Sequence, residues 1–297
     1  MNMHVVSARS FRLGLTAAVV AWLSSMVSVP FVKMLKNFTP EQLLVWRSVI
    51  TMIVAYGFAR GRIWGFDRYT IIASPVLAIS SLSFYRAIRV WDFYSVMLVL
   101  VVSMFVNVAV AWREHKKLSP RLFLGLGLIV SGITVGMQPW SRSMNWEGLA
   151  WSLSAAVTGG IIFELWNRSS VVATPMCNTF WACATLAAIT GLMVCFQPLP
   201  RLSEQGIVHD VTALVWFGIV GGALYFSSSV YLFKLLPVVP ASLMNQGTTP
   251  AIIFGGYLLA HETINVVQCA GMVVALIGIA VVIYWLHSNS DASHQAS

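Results

Sequence analysis

The chain has 297 residues, of which 58% are hydrophobic and 9% charged, and its mean hydropathy is +0.79. A soluble domain carries roughly 25% charged residues, so this chain has too few to cover a water-exposed surface, whereas lipid-facing helices account for the balance. The formal charge of +8 does not mark a nucleic-acid binder, because the 18 Lys and Arg residues sit in short gaps between apolar runs, where membrane proteins keep their headgroup anchors.

Residues 1–12 are short and basic, and resemble the start of a signal peptide. Lys33 and Lys36 follow the first apolar run, however, no small-residue cleavage site is evident, and nine more runs come after, so that run reads as a retained helix. A spanning helix needs about 20 mainly apolar residues. Runs of that kind fall near 11–32, 41–59, 70–88, 93–112, 120–137, 148–166, 175–196, 212–233, 239–260 and 264–286. The connections are short and marked by Pro or charge, and the longest, about Gln197 to Val211, holds Pro198, Pro200, Arg201, Glu204 and Asp210. The tail at 287–297 reads as disordered and cytoplasmic. Cys177, Cys183, Cys195 and Cys269 lie within apolar runs without a CxxC pair and read as packing residues.

With ten spans and the N-terminus inside, inner segments hold Arg9, Arg12, Arg60, Arg62, Arg68, Arg113, Lys116, Lys117, Arg121, Arg168 and Lys234. Outer segments hold Lys33, Lys36, Arg86, Arg89, Arg142 and Arg201. That excess favours both termini in the cytoplasm.

The chain also resembles itself. Arg86 and Lys234 are 148 residues apart, as are Glu114 and Glu262. Gly125 and Gly132 then match Gly271 and Gly278 at an offset of 146, and Pro40 matches Pro175 at 135. Residues 11–137 and 148–286 are thus two five-helix repeats. Five is odd, so the second enters the membrane from the opposite side. Inverted repeats of this kind recur in secondary transporters, with the substrate site at the midplane between them. The expected fold is therefore all-α and integral to the membrane, with ten helices in two inverted five-helix halves.

At these residues the chain resembles the drug/metabolite transporter superfamily, in the form with two EamA domains. The resemblance rests on Trp22 with Ser24 and Ser25, Lys33, Pro40 followed by Arg47, and Tyr85 with Ala87. It continues in the acidic residues Glu114 and Glu262 and the glycine pairs that follow them. One departure concerns the proline of the fourth helix, present in the second repeat as Pro250 and absent near Val102. The resemblance implies export or exchange of small metabolites through a central cavity.

Polar groups at membrane depth are expensive and are the default functional candidates. Arg47 lies about six residues inside the second helix, roughly two turns from its end. It either snorkels outward as an anchor or binds a substrate carboxylate with its planar fork. Glu164 precedes Arg168 by four residues, a favourable order for an ion pair on one helical face; the alternative role is proton coupling. Glu114 and Glu262 read as helix-end caps or as gating residues. Trp22, Ser24, Ser25, Tyr85, Asn107, Tyr225, Asn245 and Gln246 are the uncharged substrate-binding candidates. Asn245-Gln246, with Thr248, Thr249 and Pro250 close by, marks a place where a broken helix frees carbonyls to line a cavity. The spacings Gly132-x-x-x-Gly136 and Gly218-x-x-x-Gly222 allow close helix approach.

No nucleotide-binding lysine loop is present, and the six histidines lie in loops or at chain and helix ends. Neither a cofactor nor a metal is expected, and the chain does not read as an enzyme. The expected function is secondary active export of a small organic metabolite, an amino acid or amino-acid derivative, across a bacterial inner membrane by alternating access with proton exchange. An uptake carrier for a vitamin or nucleotide-like compound has the same architecture. From a different class, an intramembrane enzyme would use the Glu114-His115 and His261-Glu262 pairs. Expected partners are the small-molecule substrate, membrane lipid and protons, with no nucleic acid, and the protein is a monomer or homodimer.

Overall fold

The computed structural model describes residues 8–35, 37–65, 67–91, 93–115, 120–138, 145–169, 174–198, 207–261 and 264–294. The described residues form helices and their connections, without a strand. Six helices among them are long and apolar enough to cross a membrane: Arg9–Val32, Arg68–Val90, Trp146–Ser169, Pro175–Val194, Asp210–Leu235 and Val266–Trp285.

In chain order the helices are α1 (Ala8–Met34), α2 (Pro40–Phe58), α3 (Arg68–Val90), α4 (Phe93–Leu100), α5 (Val102–His115) and α6 (Pro120–Met137), then α7 (Trp146–Ser169) and α8 (Pro175–Val194). There follow α9 (Ile207–Trp216), a π-helical segment (Phe217–Leu224), α10 (Tyr225–Leu235), α11 (Val238–Asn245), α12 (Thr248–Ala260) and α13 (Val266–His294).

The matching prolines open matching helices. Thr39 caps α2, with its side chain accepting from the Gln42 amide and Pro40 in the first turn. Thr174 caps α8 in the same way, accepting from Cys177 ahead of Pro175. Both use the first helical position, where a proline's missing N–H costs nothing, and both satisfy an orphan amide.

Two of the apolar runs are broken helices. The run at 93–112 is interrupted at Val101, between α4 and α5, and the run at 239–260 at Gln246–Gly247, between α11 and α12. The first break needs no proline. Ser103 donates its hydroxyl to the Leu100 carbonyl at 2.7 Å, and the Met104 amide turns back to Val101 at 3.0 Å. The second is built from tight turns, Gln246 to Leu243 and Gly247 to Met244, and falls ahead of Pro250. A third departure is at the C-terminus, where α13 continues to His294 through residues expected to be disordered. No Gly or Pro lies between Trp285 and His294 to stop it.

Packing follows the glycines. α6 lies against α13, α2 against α8, and α3 against α7, while α1 packs on α10 and the π segment. α4 and α5 pack on α7, α12 on α1, α3 on α8, and α2 on the π segment. Along the α6–α13 seam, a Cβ on Gly132 would meet the Gly271 carbonyl at 2.5 Å, and one on Gly278 the Gly125 carbonyl at 2.8 Å. Gly125 therefore faces Gly278 and Gly132 faces Gly271, so the two helices run antiparallel. The outward faces are apolar: Ile53 is 67% exposed, Leu192 67% and Val273 55%. The many large apolar side chains exposed on the helix exteriors suit a lipid surrounding.

Candidate functional site

A cavity of about 160 Å³ lies among the helices, lined from α1, α3, α4, α5, α7, α10, α11, α12 and the π segment. Arg47 of α2 also lines it and is 5% exposed. Its Nη1 donates to the Tyr85 hydroxyl at 2.7 Å and its Nη2 to the Gly221 carbonyl at 2.7 Å. The guanidinium lies over the Phe226 ring at 4.5 Å from the centroid, and 5.5 Å from those of Tyr85 and Phe217. Its Nε is buried without a hydrogen-bond partner, and among the described residues no carboxylate pairs with it.

The π segment explains how a charge came to be held there. Glycines at 218, 221 and 222 let it press onto α1 and α2: a Cβ on Gly218 would strike Ile50 at 2.5 Å, and one on Gly222 would strike Thr51. The one Thr51 hydroxyl proton lies between two carbonyl acceptors, Gly218 at 3.0 Å and Arg47 at 2.7 Å, which brings the two backbones together. Within this segment the Gly221 carbonyl accepts from Arg47. Segments of π-helix within α-helices are frequent at functional sites. The small-residue spacing 218–222 announced this close approach; the π winding had no signal in the sequence.

Of the sequence candidates, Ser25, Arg47, Tyr85, Tyr225, Asn245 and Gln246 line the cavity together. Asn245 and Gln246 do so at the break between α11 and α12, and Asn245 Oδ1 is buried without a partner. Trp22 and Ser24 are not among the lining residues. Trp22 instead donates its indole N–H to the Met244 carbonyl at 2.9 Å, just before the break, and its ring fills the space beside Gly247. Asn107 is fully buried and donates to the Ser242 hydroxyl at 2.7 Å, joining α5 to α11. Glu164 accepts from Arg168 at 2.6 Å and lies next in the chain to the lining residue Phe163 without lining the cavity itself. The backbone of Glu114 is in α5, but its side chain, like all of Glu262, lies outside the described residues.

Several lining residues escaped the sequence reading. Ser28, Ser80, Ser81 and Ser103 bring hydroxyls, and Phe84, Phe163, Trp166 and Phe226 bring rings. Ser25 and Ser28 are three apart on α1, a helical spacing that puts them on one face. The rings left no trace, since aromatic residues in spans are as common at lipid interfaces.

A polar cluster gathers where α2 begins and α3 ends. Arg86 of α3 pairs with Glu41 of α2 at 2.8 Å, and Gln197, beyond α8, donates to the other Glu41 oxygen at 3.3 Å. Thr39 donates to Gln197 at 2.7 Å, and Arg89 donates to the Leu35 and Phe38 carbonyls at 2.9 and 2.6 Å. Where α3 and α8 begin and α7 ends, Thr70, Ser169 and Asn178 form a second polar cluster, with the Thr70 hydroxyl 2.6 Å from the Asn178 carbonyl oxygen and the Thr70 amide donating to the Asp67 carboxylate at 2.8 Å.

No family model and no curated protein matches this chain. Twenty-nine chains of solved structure do. One crystal structure superposes with a TM-score of 0.77 over 95% of this chain and 99% of its own, at 14% identity. That likeness is one of fold.

Proposed function

We propose that the chain is a secondary carrier of the drug/metabolite transporter type, which exports a small organic metabolite, an amino-acid derivative in particular, by alternating access with proton exchange. The observation that carries this reading is a buried arginine, paired with no described carboxylate, in a cavity flanked by two helices that break beside it. Carrier sites are typically framed by discontinuous helices at the interface of repeats, and a charge at that depth is retained for function. Leu100 and Ser103 line the cavity at the first break, and Gln246 and Thr248 at the second.

The packing supports ten spans in two inverted halves. Joining helices across their breaks gives ten segments, and exchanging α1 with α7, α2 with α8, α3 with α9–α10, α4–α5 with α11–α12, and α6 with α13 maps contact onto contact. α3 on α7 becomes α10 on α1, α4–α5 on α7 becomes α12 on α1, and α3 on α8 becomes the π segment on α2. α6 and α13 exchange with each other while running antiparallel, as a two-fold axis in the membrane plane requires. The basic-residue bias fits cytoplasmic termini in a bacterial inner membrane.

The test is flux. Protein reconstituted in sealed vesicles is expected to move a small organic solute in a saturable way, and to exchange it across the bilayer. Absence of flux for solutes of many classes, with and without a pH gradient, would remove the transport reading.

A further inference from the structure

Resting on that reading, we infer that the cavity takes a ring-sized organic carboxylate carrying a neutral hydrogen-bond donor and no free amino group. Among the described residues, Arg47 is the one charged group in the lining, which contains no Asp, Glu, Lys or His. Glu41, on the same helix as Arg47, and Glu164 of α7 are already committed to other arginines, Arg86 and Arg168.

A buried cation without a counter-ion is a costly arrangement, stabilised here only by a phenol, a carbonyl and ring faces. An arginine has five N–H groups, and Tyr85 and Gly221 each engage one, leaving the Nε and further N–H groups for a ligand. A planar carboxylate matches such a fork. It also makes the occupied cavity electrically neutral.

An ammonium on the same ligand has no such place. It would meet no anion in the described lining, and would lie in the field of Arg47 at low dielectric, where like charges repel strongly. The Phe226 face is covered by the guanidinium itself, and the other lining rings offer an ammonium a face but no counter-charge. The unpartnered Asn245 Oδ1 accepts one O–H or amide N–H and supplies no charge. The volume of about 160 Å³ compares with the roughly 150 Å³ apolar cavity that holds one benzene. An amino-acid derivative whose amine is acylated or replaced by hydroxyl meets these conditions, and an amino acid does not.

The experiment is equilibrium binding to the purified full chain in detergent, with probes of one shape. Mandelate is the anion with a hydroxyl, phenylglycine the zwitterion with an ammonium in its place, and mandelamide the neutral analogue. Mandelate is expected to bind at least tenfold more tightly than either, and Arg47→Gln to abolish that preference. Should that variant not fold, the comparison of mandelate with mandelamide on the unaltered protein decides alone. Phenylglycine or mandelamide binding as tightly as mandelate overturns the inference, as does failure of mandelate to bind. Flux of the same probes in vesicles separates the two claims. Mandelate binding without flux removes transport and leaves the charge rule standing; flux of phenylglycine alone removes the charge rule and leaves transport.

Discussion

Arg47 and Tyr85 are 38 residues apart in the chain, on α2 and α3, and the guanidinium donates to the phenol at 2.7 Å while both residues are at least 95% buried. The phenol holds one corner of the fork and leaves the Nε edge unpaired. Lysine keeps the charge and loses this planar geometry. Arg47→Lys is therefore expected to weaken carboxylate binding about 10- to 100-fold, the equivalent of roughly 1.5–3 kcal/mol for hydrogen bonds to a charged group. Ligand titration of the purified variant measures this, and unchanged affinity would return Arg47 to an anchoring role.

Glycine is required on the α6–α13 seam by contact with backbone. Gly132→Ala puts a methyl against the Gly271 carbonyl, an overpacking expected to cost about 1–3 kcal/mol. A Cβ on Gly127, in the same helix, would have nothing within 4 Å, and Gly127→Ala is expected to be neutral or slightly stabilising. Thermal unfolding in detergent compares the two. Equal melting temperatures would show that the seam tolerates side chains and is not a tight contact.

Trp22 holds the break in α11–α12 by donating to the Met244 carbonyl. Trp22→Phe keeps a ring and removes the donor. The Met244 carbonyl keeps the Gly247 amide as a donor, so the loss is that of one hydrogen bond, about 0.5–1.5 kcal/mol, and the variant is expected to lose that stability together with transport rate. A variant with full stability and full rate would show that the bond does not matter to the break.

Glu164→Gln tests proton exchange. The substitution leaves the cavity lining intact and removes the acid of the Glu164–Arg168 pair. Substrate binding is expected to persist while the acceleration of flux by a proton gradient is lost. If vesicle flux keeps its full response to the gradient, the pair is an i,i+4 anchor at the helix end, worth about 0.3–0.5 kcal/mol.

Helices long and apolar enough to span a membrane follow from the sequence alone, because lipid admits only long apolar runs that satisfy their own backbone. The Thr-Pro starts of α2 and α8 and the matching glycines at 125, 132, 271 and 278 were legible for a related reason: caps and close approaches demand particular residue types at fixed places. Six cavity residues were also visible as polar groups within apolar runs, and Pro250 beside Asn245-Gln246 marked the break between α11 and α12. The break at Val101 carries no proline, and bonds from Ser103 and Met104 settle it in the folded chain. What the sequence left open above all was direction. In a helix that is apolar all round, periodicity does not say which face turns inward, so Arg47 read equally as an outward anchor or an inward ligand. Tertiary packing decided it, when the glycines of the π segment closed onto α2 and aimed the guanidinium at Tyr85 and Gly221, residues 38 and 174 positions away. The uncompensated charge is likewise a property of the assembly, because only the folded chain shows which acids Arg86 and Arg168 have already taken.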